Sequence, residues 1–141
     1  MTQVLSLYQE AEARWIPLFL RALPQTGSLS LLSPSGQCYI ALDPSLSDTQ
    51  QRVRLAHELG HCETGSFYNR YSPYDLRERC EHRADRAAIE RLIPEQELDE
   101  AVALGNTQLW QLADWFGVDE PFMRKAVCLY THGNLATELY F

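Results

Sequence analysis

The sequence predicts a compact α+β fold, mostly helical, with one small antiparallel β-sheet. Three observations carry this expectation. From Asp48 onward apolar residues recur at helical spacing in segment after segment. Two β-prone runs, "SLSLL" and "QCYIAL", flank the turn composition "SPSG" and predict a hairpin. A length of 141 residues, with 45% hydrophobic and 22% charged, suits one globular domain spanning 1–141 and argues against disorder.

Val4, Leu5, Tyr8, Ala11 and Trp15 predict an amphipathic helix over residues 2 to 20, kinked or ended by Pro17. A break at Pro24 to Gly27 precedes the hairpin. "DPSLSD" then offers Ser47 or Asp48 as a helix N-cap, and the helical pattern runs to about Glu63. Residues 64 to 75, "TGSFYNRYSPYD", read as a loop. A second long helix is expected from about Leu76 to Leu92, before Pro94, with shorter ones at about 95 to 104, 107 to 116 and 120 to 131. The last two share the L-A-x-x-F-G-V rhythm of a helix-turn-helix, with Gly117 at the turn. Between Phe122 and Tyr130 only Arg124 and Lys125 are basic, so packing on the core is the expected role, with docking of a protein substrate next.

The net charge of -7 argues against a protein that grips a phosphate backbone. Eight of the twelve basic residues fall between Arg52 and Arg91, but seven acids share that stretch and leave it close to neutral. No basic leader precedes Glu10 and Glu12. The longest apolar run, "WIPLFL", is far shorter than the roughly 20 residues of a membrane span. Cys38, Cys62, Cys80 and Cys128 form no C-x-x-C pair. They read as reduced thiols in a cytoplasmic protein.

The chemistry concentrates in "RLAHELGHCETG", residues 54 to 65. Four residues turn a helix by about 400°, so His57 and His61 project from one face, one turn apart, within reach of a single ion. Glu58 lies about 100° round from His57, near such an ion without having to bind it. Two neutral imidazoles suit one Zn²⁺, and the carboxylate can take a proton from water beside it. Scattered at random, the four histidines and twelve glutamates of this chain would produce H-E-x-x-H about 1% of the time, so the motif is not a chance feature.

An open catalytic position requires a third protein ligand. In "CEHRADRAAIERLIP", Glu81 and Asp85 share a helix face. Glu81 is the expected third ligand and Asp85 the support for the distal N–H of a ligating histidine, although spacing alone allows these roles to be exchanged. His82, Cys62 and Cys80 each lie about 100° from their neighbouring ligand and are expected to stay out of the site, the cysteines as small buried residues.

"IALDPSLSDTQQRVRLAHELGH" followed by "EHRADRAAIERLIP" resembles the ImmA/IrrE metallopeptidases of phages, mobile elements and bacterial stress responses, over roughly residues 27 to 130. The resemblance implies zinc ligation by His57, His61 and Glu81, with Glu58 as catalytic base. Asp85 stands where the family has Asn or Asp. It further implies a zincin-like fold, a small antiparallel sheet with an edge strand near the cleft, and cleavage of a helix-turn-helix repressor.

These residues together predict a zinc endopeptidase. His132 and Tyr71 are the expected oxyanion donors, with Tyr68 and Tyr74 as further choices. The extended segment Gln37 to Ala41 is expected to bind substrate as an added strand. The rival expectation is a noncatalytic metal-binding regulator that binds a repressor or DNA.

Overall fold

A computed structural model describes residues 3–135. The first helix, α1 (Gln3–Ala13), buries Val4, Leu7 and Ala11 and stops well short of residue 20. The chain reverses at Trp15, whose φ is 59°, and Pro17 has no amide hydrogen with which to continue a helical ladder. The next element is a strand, β1 (Leu18–Leu20), and not the end of a helix. "WIPLFL" is apolar at every position but one, so its pattern fits either element; the hydrogen bond from Ile40 N to Pro17 O, at 3.0 Å, decides the matter in favour of the sheet.

The expected hairpin forms from β2 (Ser28–Leu32) and β3 (Cys38–Leu42), paired antiparallel with Ser30 opposite Ile40. β1 joins the other side of β3 in parallel, giving the order β1-β3-β2. The sheet is therefore mixed, not wholly antiparallel. Ile40 and Leu42 of β3 are fully buried.

The helix α2 (Asp48–Thr64) begins with a capping box, in which Ser47 Oγ accepts from Gln50 N while the Gln50 side chain accepts from Ser47 N. Gly65 closes it in a left-handed conformation, φ 65°, that costs a glycine little. Leu55, Ala56 and Leu59 bury its inner face. It packs closely against α3 (Tyr74–Leu92), and Gly60 is the reason. A Cβ at Gly60 would lie 2.5 Å from the Ala84 carbonyl oxygen, so only glycine allows the two helices to approach at this level. That level is one residue from His61 on one helix and three from Glu81 on the other.

Three shorter helices complete the chain's described part: α4 (Glu95–Ala103), α5 (Leu109–Phe116) and α6 (Glu120–His132). Leu112, Phe116, Met123 and Ala126 of the α5–α6 pair belong to the same buried cluster as Leu55 and Ile89, so the helix-turn-helix rhythm serves packing. The Arg52 side chain donates to the carbonyls of Phe116 and Gly117 and ties α2 to the turn between them.

The cysteines depart from expectation. Cys38 and Cys62 form a disulfide between β3 and α2, where the fold brings their Cα atoms to 6.0 Å, inside the range that such a bond spans. Cys80 and Cys128 are free and buried. Cysteine usage thus no longer argues for a reducing compartment. Among the described residues no helix is long and apolar enough to cross a membrane.

Candidate metal centre

His57 Nε2 and His61 Nε2 stand 3.2 Å apart, and Glu81 Oε2 reaches over from α3 to 2.7 Å from the first and 3.4 Å from the second. Donor atoms of these three residues all lie within 4.8 Å of one another. The far ring nitrogens are held elsewhere. His57 Nδ1 is 2.7 Å from Asp85 Oδ1, and His61 Nδ1 is 2.6 Å from the Ser66 carbonyl oxygen. A carbonyl can only accept, so His61 donates from Nδ1 and turns its Nε2 lone pair toward Glu81. Asp85 directs His57 in the same way, and its other oxygen accepts from Lys125 Nζ of α6 at 2.9 Å. Of the two arrangements that spacing allowed, Glu81 sits at the convergence and Asp85 behind His57.

The electrostatics agree with this geometry. Burial alone would lower the His57 pKa, but Asp85 and Glu81 on its ring nitrogens push it up to about 9. Burial would raise Glu81, yet the His57 and His61 rings and the Tyr68 hydroxyl against its carboxylate hold it well below the usual carboxylate range. For Asp85, too, burial is outweighed by His57 and Lys125, which lower it. This point of the cleft draws positive charge. Two imidazole nitrogens and one carboxylate oxygen, each imidazole anchored through its far nitrogen, form a His-His-Glu donor set that fits a divalent metal ion.

Glu58 is buried beside them, and its Oε2 accepts a 2.7 Å hydrogen bond from Ser28 Oγ at the start of β2. Both residues line a cavity of about 520 Å³ together with His57, His61, Tyr68 and Glu81. Ser28 gave no signal in the sequence, because nothing local links residues 28 and 58.

Tyr68 donates its hydroxyl to Glu81 Oε1, leaving Oε2 for the convergence point. Burial and the Glu81 carboxylate push its pKa up to about 12, so it remains a donor at any ordinary pH. The two residues expected as oxyanion donors are elsewhere. Tyr71 is 79% exposed and accepts from Arg70, and His132 ends α6; neither lines the cavity. The reason is local, since Ser66 is pinned to His61 and Thr64, which lays Tyr68 over the ligands and carries the chain outward by residue 71. His82 is exposed, Cys62 is in the disulfide, and Cys80 Sγ faces the Phe67 carbonyl at 3.7 Å.

The expected substrate strand also needs correction. Gln37 to Ala41 overlaps β3, which has β1 on one side and β2 on the other and so no free edge. The open edge beside the cleft belongs to β2. The bonds Asp43 N to Gly27 O and Ser33 N to Gln37 O set the ladder, so that Ser28, Ser30 and Leu32 turn their backbone N–H and C=O away from β3.

A helix carrying H-E-x-x-H, a glutamate from the next helix and a strand edge alongside define a zincin-like fold of the metallopeptidase class. The chain belongs to the family described as the IrrE N-terminal-like domain, Peptidase M78, whose model matches residues 11–127. A solved structure described as a Mycobacterium tuberculosis transcriptional regulator is similar in fold, with a TM-score of 0.64 at 17% identity. The match covers 85% of this chain and 39% of that one, so the chain spans well under half of the neighbour's length. No curated protein matches.

Proposed function

We propose that the protein is a zinc-dependent endopeptidase that cleaves a helix-turn-helix transcriptional repressor and so relieves repression in a phage or mobile element. The observation that carries the peptidase reading is the convergence of His57, His61 and Glu81 in the cavity that Glu58 lines. Membership of a metallopeptidase family supports it, and the repressor as substrate rests on the resemblance of the motifs.

His57, His61 and Glu81 would hold the zinc ion, which when bound would supply a Lewis acid for the scissile carbonyl and would acidify water toward a pKa of about 7. Glu58 takes the proton of the attacking water and delivers it to the leaving amine. Ser28 holds the Glu58 carboxylate in place through its hydroxyl. Asp85 and the Ser66 carbonyl fix the planes of the imidazoles, and Lys125 holds Asp85. Tyr68 turns its one hydroxyl proton from Glu81 Oε1 to the oxyanion as that charge develops, in place of Tyr71 and His132. Substrate backbone pairs with the open edge of β2, at Ser28 and Ser30.

The second reading, a noncatalytic metal-binding regulator, draws on the α5–α6 pair and on the fold shared with a transcriptional regulator. Glu58→Gln separates the two. In the peptidase, cleavage of a coexpressed repressor falls about 10²–10⁴-fold while zinc stays at about one equivalent. Repressor inactivation that persists undiminished in this variant rules proteolysis out.

A further inference from the structure

We infer that Arg54 is a specificity determinant of this cleft, which selects a peptide carrying an acidic side chain one or two residues from the scissile bond. The inference rests on the peptidase reading and adds the substrate's chemical class to it.

Arg54 lies on α2 one turn before His57 and Glu58, is exposed, and lines the same cavity as those residues. It also lines two adjoining cavities, one reaching back to Gly27 and Asp43 and one forward to Phe122 and Lys125. The guanidinium thus stands where three recesses meet, beside the reacting centre. Among the described residues it makes no hydrogen bond or ion pair, whereas Arg52, Arg91 and Lys125 are all engaged. The carboxylates that share its recesses are committed as well. Asp43 accepts from Leu23 N and from Ser45, and Asp119 caps α6 through Phe122 N. Glu58, Glu81 and Asp85 line these recesses too, bonded to Ser28, to His57 and Tyr68, and to His57 and Lys125. None of these carboxylates bonds the guanidinium, so a bidentate donor is left facing the cleft.

Its position along a bound peptide is set by the two elements that form the cleft. A Cβ on Gly27 would come within 3.8 Å of Arg54 Nε, so the side chain lies against the entry to β2, just before Ser28. Ser28 is the residue that touches Glu58. One helical turn is about 5.4 Å and a strand rises about 3.3 Å per residue, which places Arg54 one to two residues along a strand paired with β2. An acidic side chain there meets the guanidinium, an amide loses the charge, and a lysine is repelled.

The test uses the zinc-loaded full chain and decapeptide libraries, acetylated and amidated at their ends. One position is fixed as Glu, Gln or Lys, and the others vary among uncharged residues. Binding is read by fluorescence anisotropy in the Glu58→Gln background, so that it does not depend on turnover, and cleavage by wild-type protein is read by mass spectrometry. We expect the Glu libraries to bind about tenfold more tightly than the Gln libraries. Arg54→Ala should bring that ratio close to one, and Arg54→Glu should invert the preference toward Lys, with zinc content unchanged. Equal binding of Glu and Gln libraries, or a preference that survives Arg54→Ala, overturns the inference. An Arg54-dependent preference without cleavage by the wild type keeps the inference and sinks the peptidase reading; cleavage without a charge preference does the reverse.

Discussion

On one side of the cleft, α2 and α3 hold His57, His61, Glu81 and Asp85 on packed helix faces, with Gly60 seated against Ala84. On the other, β2 and residues 65 to 68 reach the same space with an open strand edge and a half-exposed Tyr68, while Tyr71 beyond them stands out in solvent. Ser28, Ser66 and Tyr68 cross from this side to touch the ligands or Glu58. The difference teaches a division of labour. In the proposed peptidase the helical side would fix where an ion sits, through rigid packing and anchored imidazoles, while the strand-and-loop side would meet the peptide. Substitutions on the first side should then act on metal affinity and stability, and those on the second on turnover.

The largest expected effect comes from Gly60→Ala. Alanine favours a helix over glycine by roughly 1 kcal/mol, but the new methyl would meet the backbone of Ala84 at 2.5 Å, and a carbonyl cannot move aside as a flexible side chain can. Overpacking of this kind costs about 1–3 kcal/mol, and relief requires α3 to shift, carrying Glu81 away from the imidazoles. Thermal melting should fall and bound zinc should drop well below one equivalent. A variant that melts no lower and keeps its zinc would show that the helix contact does not position the site.

The helical side was also the side legible in sequence, and for a physical reason. The period of a helix puts His57 with His61, and Glu81 with Asp85, without any tertiary information, and Ser47 announces where α2 begins. The other side depends on pairings between distant residues. Leu18–Leu20 became a strand only because β3 was there to accept it, which made Gln37 to Ala41 central and left β2 as the edge. Cys38 and Cys62 are 24 residues apart and meet only once β3 lies along α2. Among the loop tyrosines no spacing rule singles out Tyr68 over Tyr71; the hydrogen bond from His61 to the Ser66 carbonyl does. The glycine at position 60 was visible but mute, since its meaning lies in what α3 places opposite it.

Asp85→Asn tests the helical side more gently. The amide keeps the shape and can still accept from His57, but it removes the charge that steadies both His57 and Lys125. Losing such a partner behind a ligating histidine weakens metal binding by about 10- to 100-fold. Competition with a chromophoric chelator would measure this directly. Turnover of the variant at saturating zinc should stay near wild type; a lasting loss there would mean that Asp85 serves the reaction and not merely the ligand.

Tyr68→Phe has the smallest expected effect and probes the boundary most sharply, because this hydroxyl belongs to the loop yet bonds a ligand. If its main role were to hold Glu81, zinc affinity should fall as it does for Asp85→Asn. Glu81 Oε2, however, already lies 2.7 Å from one imidazole and 3.4 Å from the other, while the hydroxyl touches only Oε1, the oxygen turned away from the convergence. The phenol is also half exposed, so water can replace part of what it gives. We therefore expect zinc affinity within about threefold of wild type and a kcat lower by about tenfold, less than the roughly 10²–10³ of a fully engaged oxyanion donor because water takes up part of the role. The reverse pattern, with zinc lost and turnover per bound zinc preserved, would move Tyr68 across the cleft in functional terms and join the loop to the metal-holding side.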